Sequence, residues 1–320
     1  MCMKFLKSAA SNAKKAMVVG IGGGGDVVGA IPTSNYLREI GLSTVLGGLT
    51  WERYVNDPEP GPRRMDEILN IKKLARTAGL ASSETRTNKG VRFTEAMVAE
   101  ALCEETLLVD PNLGVKGIVD GLNTVVDLMG FDLFVGIDVG GDVLAAGNEE
   151  GLRSMLADSM MLAAMVNLKI PAVLGVLGCC TDGELTFDQF LKRLSLTAEF
   201  GGLLGARGLT PEDLKVLESV IPRTKTESTA LAVKAAKGTY GDVKIRGGCR
   251  TAQLTPVAAV TFYLDPVVVF ERVNGIAKML AETSSIEEAN EIVVKAGLPS
   301  ELEFQRSGGW KKYVNGGAVT

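Results

Sequence analysis

The chain has 320 residues, with 34 Lys and Arg against 38 Asp and Glu, a net charge of −4, and no basic stripe, which excludes nucleic acid as a partner. At 46% hydrophobic and 22% charged, it is long and apolar enough to bury the core of one large domain or two smaller ones. Histidine is absent, so a Ser-His-Asp triad, a Cys-His pair, a His-ligated zinc and a His general base are all excluded.

In chain order, the opening MCMKFLKSAASNAKKA carries four lysines and no apolar core, which reads as a short surface helix and not a signal peptide. Ala16–Ile21 is a buried strand and Val27–Ile40 a helix with Gly41 at its C-cap. Ser43–Leu49 is a second strand, so the first three elements form a parallel β-α-β unit. The Pro-rich loop over 50–64, containing WERYVNDPEPGPRR, is long enough to read as functional. Strands follow at Glu105–Val109, Leu133–Ile137 and Ala172–Leu177, with helices at Gly114–Met129, Gly151–Asn167 and Phe187–Phe200. The apolar stretch Met160–Cys180 is broken by Asn167, Lys169 and Pro171, which makes it a buried helix and strand, not a membrane span. Beyond Gly201, helices are expected at Pro211–Val220, Ser228–Lys237 and Thr283–Ala296, the last with a Ser284/Glu287 capping box. Strands are expected at Val243–Arg246 and Val257–Tyr263. The alternation specifies an α/β fold with a doubly wound, mostly parallel sheet and a C-terminal α+β elaboration. We read residues 1–320 as one domain, with 201–320 as the stretch able to form a subdomain. The five cysteines, Cys2, Cys103, Cys179, Cys180 and Cys249, have neither disulfide nor metal spacing and read as reduced thiols in a soluble, cytoplasmic protein.

Two segments resemble each other. Gly20–Ala30 reads GIGGGGDVVGA and Gly136–Ala146 reads GIDVGGDVLAA, identical at seven of eleven positions. Consecutive glycines let a backbone turn several N–H groups toward one point, so Gly22, Gly24 and Gly25, and likewise Gly140 and Gly141, are candidates to bind an anion. A plain Gly-Gly turn whose Asp caps a helix is the bland reading of either loop. Gly20, Gly22 and Gly25 also fit G-x-G-x-x-G after a strand, which makes NAD or another nucleotide the alternative ligand, with Glu52 as the approximate ribose acid.

Parallel strands would bring Asp26, Glu52, Asp138, Asp142, Asp182 and Glu184 to one carboxyl edge of the sheet. Crowded carboxylates call for a counter-charge, and all-oxygen ligands suit Mg²⁺ or Mn²⁺. The expected metal set is Asp26, Asp138, Asp142, Asp182 and Glu184; the expected catalytic set is Asp26, Asp142, Arg246 and Arg250. The two arginines of KIRGGCR would clamp a small anionic molecule. Arg63 could swing in from the long loop, Glu227 is a further acid, and Cys179 and Cys180 read as packing residues.

The segments GIGGGGDVVGA, LTWERYVNDPEPGPR, DVGGDVLAAG, CTDGEL and TFYLDP are similar to the archaeal family of uncharacterised proteins called domain of unknown function 1152, over nearly the full length. The resemblance implies a cytosolic single-unit protein and brings no activity or catalytic residues with it. From the residues themselves, the expected function is metal-dependent hydrolysis or transfer on a phosphate- or carboxylate-bearing small molecule, of phosphatase type. The alternatives are a Rossmann-like nucleotide-binding dehydrogenase or sensor, and a homo-oligomeric scaffold with structural glycine turns.

Overall fold

A computed structural model describes residues 13–224 and 226–308. The amino-terminal helix expected from MCMKFLKSAASNAKKA falls almost wholly outside them. The first βαβ unit is β1 (Lys15–Gly20), α1 (Asp26–Glu39) and β2 (Ser43–Leu49). A hairpin of β3 (Ile68–Ala75) and β4 (Ala78–Thr87) follows, then α2 (Thr94–Leu102) and β5 (Thr106–Val109). Next come α3 (Gly114–Met129), β6 (Leu133–Val139), α4 (Leu156–Met165), β7 (Ala172–Leu177) and α5 (Phe187–Glu199).

The nine-stranded sheet has the order β3-β4-β5-β2-β1-β6-β7-β11-β8, where β8 is Leu203–Gly208 and β11 is Val260–Leu264. The five central strands pair in parallel, and β4 and β11 run against their neighbours. Between β8 and β11 lie α6 (Pro211–Val220), α7 (Ser228–Ala236) and a separate antiparallel pair, β9 (Gly241–Ile245) and β10 (Arg250–Leu254). Helices α8 (Ile286–Lys295) and α9 (Glu301–Arg306) finish the described chain.

Buried strands alternate their side chains between two cores, which is why β1 is apolar throughout. Met17 and Val19 face α3, α4 and α5, whereas Ala16 and Val18 face α1, α2 and α6. The fold is therefore α/β with helices on both faces. No helix among the described residues is long and apolar enough to cross a membrane.

Two local expectations are corrected. The cap of α8 is Ser285, whose Oγ accepts the Glu288 N–H at 3.1 Å, one residue beyond the expected Ser284/Glu287 pair. The two Gly-Gly-Asp loops also lead to different structures. Asp26 opens a 14-residue helix, whereas Asp142 opens only the single turn Asp142–Leu144, and α4 begins at Leu156. In neither case does the Asp side chain cap: the N-caps are Gly25 and Gly141.

Candidate metal centre

Strands β1 and β6 are neighbours, but their connections leave in opposite directions, toward β2 and toward β7. Such a switch point opens a crevice beyond the carboxyl ends of the strands. A cleft lies there, and the loops after β1, β2, β6 and β7 all contribute to it.

Asp26 and Asp158 line it, and Asp138 lies within reach of both, so three aspartates on three elements meet there. One carboxylate oxygen from each of Asp26, Asp138 and Asp158 lies within 4.8 Å of the others. Asp26 is the first residue of α1, Asp138 the penultimate residue of β6, and Asp158 sits in the first turn of α4. Asp26 accepts the Gly22 N–H at 2.9 Å and the Val139 N–H, tying the β1 loop to the end of β6. Asp138 accepts the Val143 N–H at 3.3 Å. Asp158 is 1% exposed, and its Oδ1 has no hydrogen-bond partner. Gly22 is required where these groups meet, because a Cβ there would lie 2.7 Å from Asp26 Oδ2 and 3.0 Å from Asp158 Oδ1.

Further buried acids surround the three. Glu184 accepts from Arg153 N at 2.6 Å, Ser154 N at 2.9 Å, Ser154 Oγ at 2.6 Å and Arg250 Nη1 at 3.0 Å. Asp182 accepts the Glu184 N–H at 2.9 Å, and Ser154 Oγ lies 3.4 Å from Asp142. Glu301, on α9, accepts from Leu156 N and Ala157 N and so holds the start of the helix that carries Asp158.

Burial raises the proton affinity of the cluster, and mutual repulsion adds to it. Asp26 is pushed up to about 7 by burial, against hydrogen bonds from Gly22 and Val139. Asp138 is pushed up to about 8 by burial and then by the charge of Asp26. Asp182 rises to about 8 through burial and Glu184. Asp142 and Asp158 stand well above the usual carboxylate range, through burial and then through Asp158 and Asp138 respectively. A crowded, desolvated set of this kind must hold protons or a cation. The donor set is all carboxylate oxygen and contains an orphaned oxygen, which fits a hard divalent ion.

Of the five expected metal ligands, Asp26 and Asp138 fall in the close group, which Asp158 completes, while Asp142, Asp182 and Glu184 line the cleft without joining that group, and Glu301 lines it as well. One signal could have found Asp158: LADSMMLAAM sets a single acid among apolar and small residues, the composition of a helix buried on all sides, and all ten residues are buried.

The glycine amides are arranged otherwise than expected. Gly24 N donates to Trp51 O at 3.0 Å, Gly25 N to Gly23 O at 2.7 Å and Gly140 N to Leu177 O at 3.0 Å. The Gly141 N–H supports Asp138. These glycines allow close approach and do not offer N–H groups to an anion. At Gly140 a Cβ would lie 2.1 Å from Asp182 Oδ2.

Four arginines line the cleft: Arg53, Arg153, Arg246 and Arg250. Arg246 binds Glu227 through its N–H at 3.0 Å and Nη1 at 2.9 Å, and Arg250 pairs with Glu184. Arg63 does not swing in. It is 5% exposed and locks its own loop through Asp57 at 3.1 Å, Glu59 at 3.0 Å and the Gly61 carbonyl at 2.7 Å. Glu52 is held by Thr94 N and by Asn56 Nδ2, so its carboxylate anchors the start of α2. Cys179 and Cys180 are buried, and the Cys180 thiol is pushed up by its hydrogen bond to Cys179 and by burial.

Neither a curated relative nor a solved structure matches the chain. A family model described as a protein of unknown function, DUF1152, matches residues 17–308, so the chain belongs to the domain of unknown function 1152 family.

Proposed function

We propose that this protein is a metal-dependent hydrolase or transferase of phosphatase type, acting on a small phosphate- or carboxylate-bearing molecule. Asp26, Asp138 and Asp158 would hold Mg²⁺ or Mn²⁺, with Asp142, Asp182 and Glu184 around them. The carrying observation is the convergence of three carboxylate oxygens from separate elements within 4.8 Å, with two of the aspartates, Asp26 and Asp158, lining a cleft at the sheet's switch point. A bound divalent ion supplies Lewis acidity toward an ester oxygen and a lowered pKa for a coordinated water.

The chain's own residues do the rest. Asp26 bridges the two loops and orients the floor. Glu184 fixes Ser154 and Arg250 at the wall. Cationic side chains above an acidic floor suit a ligand that is anionic at one end and meets the metal at the other. Four free thiols among the described residues support a cytoplasmic setting.

The test is Mn²⁺-stimulated release of phosphate from p-nitrophenyl phosphate. Asp26→Asn and Asp158→Asn should each lower it roughly 100-fold or more, since loss even of outer-shell partners costs ~10–100-fold. Unchanged rates in both variants would end the assignment.

A nucleotide-binding reading is favoured by one observation, the central parallel order β5-β2-β1-β6-β7, which matches the dinucleotide-binding pattern. It is opposed by the engaged amides of Gly22, Gly24 and Gly25 and by the engaged Glu52. Tight, metal-independent NAD binding by calorimetry would favour it over the metal reading.

A further inference from the structure

We infer that Arg53 is the residue that takes the substrate's oxyanion, and that this oxyanion is a phosphate. The inference rests on reading the acidic floor as a metal centre.

Of the four arginines in the cleft, three are already engaged. Arg246 is bound twice to Glu227, Arg250 pairs with Glu184, and Arg153 Nη1 donates to the carbonyls of Glu150 and Leu152. The Arg53 side chain makes no hydrogen bond or ion pair among the described residues, although it feels the charges of Asp26 and Glu227. A half-buried guanidinium beside so many acids, bound to none of them, is placed for a ligand.

The backbone is shaped to put it there. Gly24 has φ +59, in the left-handed region, and a Cβ on it would lie 2.2 Å from Arg53 Cγ and 3.0 Å from Arg53 Cδ. The arginine stem therefore lies across Gly24, and only glycine leaves that path open. This gives Gly24 a role that its engaged N–H does not.

The choice of phosphate follows from counting oxygens. A guanidinium fork takes two oxygens of one group side by side. A carboxylate then has none left for the floor. A phosphate monoester has three terminal oxygens, so it can fill the fork and still direct one toward Asp26, Asp138 and Asp158.

The test measures binding by calorimetry on the full chain, with inorganic phosphate in Mg²⁺, acetate in Mg²⁺, and Mn²⁺ alone as titrants. Wild type should bind phosphate more tightly than acetate by roughly tenfold or more. Arg53→Ala should weaken phosphate by about tenfold or more, and Arg53→Lys nearly as much, because an ammonium cannot span two oxygens. Gly24→Ala should weaken phosphate too, by displacing the stem. Arg76→Ala, at an exposed arginine outside the cleft, should keep phosphate affinity within about threefold, and Mn²⁺ affinity should hold to the same limit in all variants, which also shows that each is folded. Phosphate affinity retained in Arg53→Ala, or acetate bound as tightly as phosphate, overturns the inference. If Mn²⁺ fails to bind wild type while phosphate still depends on Arg53, the metal reading falls and the Arg53 assignment stands.

Discussion

Replacing Asp138 with asparagine should make the metal-free protein more stable and the metal-loaded protein harder to form. Asp138 is 1% exposed, and one of its carboxylate oxygens lies within 4.8 Å of one from each of Asp26 and Asp158. Asparagine has the same shape and can still accept the Val143 N–H through its amide oxygen. It carries no charge to desolvate and none to repel its neighbours. Each unit of pKa displacement is worth about 1.4 kcal/mol, so stability at pH 8 in EDTA should rise by a few kcal/mol, on the order of 2–4. Divalent-metal affinity should fall roughly 100-fold or more in the same variant. Urea denaturation in EDTA and Mn²⁺ titration measure the two halves. A variant that is less stable without metal, yet binds Mn²⁺ as wild type does, would show that Asp138 is an ordinary buried acid.

The second large effect is on the pH dependence of stability. Asp26 moves from an ordinary 3.8 to about 7, and Asp138 and Asp182 from 3.8 to about 8. In each case the folded state keeps a proton that the unfolded chain releases. The folded protein therefore binds more protons between pH 4 and 8, and stability falls as pH rises through that window. Their contribution is whole below about pH 4 and is lost by pH 7–8, a difference of several kcal/mol for the cluster at ~1.4 kcal/mol per unit. Millimolar Mg²⁺ or Mn²⁺ should restore stability at pH 8, because a ligand that binds only the native state stabilises it. Thermal unfolding at pH 5 and pH 8, with and without metal, reads this directly. Stability that rises from pH 5 to pH 8 in EDTA would contradict the assigned shifts.

The parallel core was legible because a strand buried on both faces is a short, unbroken apolar run. Ser43–Leu49, Gly114–Met129, Ala172–Leu177 and Pro211–Val220 fall where their patterns place them. Residues 65–104 gave no comparable signal, although they form β3, β4 and α2. In β3, an edge strand, the register shifts between Leu69 and Ile71 and again between Lys73 and Ala75, which breaks the alternation a reader would count. β4 mixes small and polar residues in AGLASSETRT.

The candidate site divides in the same way. Asp26, Asp142, Asp182 and Glu184 follow strands and Asp138 lies at the end of one, so topology alone brings them to one edge. Asp158 arrives on a helix, from a position no strand-end argument reaches. The glycines were visible as a repeat, but their purpose depends on distances between chain segments: Gly22 makes room for two carboxylates and Gly24 for the Arg53 stem. The repeat marks two strands that flank one crevice, and the chain after each is free to differ.

Whether the carboxylate nest is a metal site is decided by calorimetric titration of metal-free protein with Mn²⁺ at pH 7, repeated in buffers of different ionisation enthalpy. A cation entering a partly protonated carboxylate nest must displace protons. Binding should be saturable, release about one proton or more per ion, and vanish in Asp158→Asn. No binding, or binding without proton release that survives in Asp158→Asn, would contradict the metal reading.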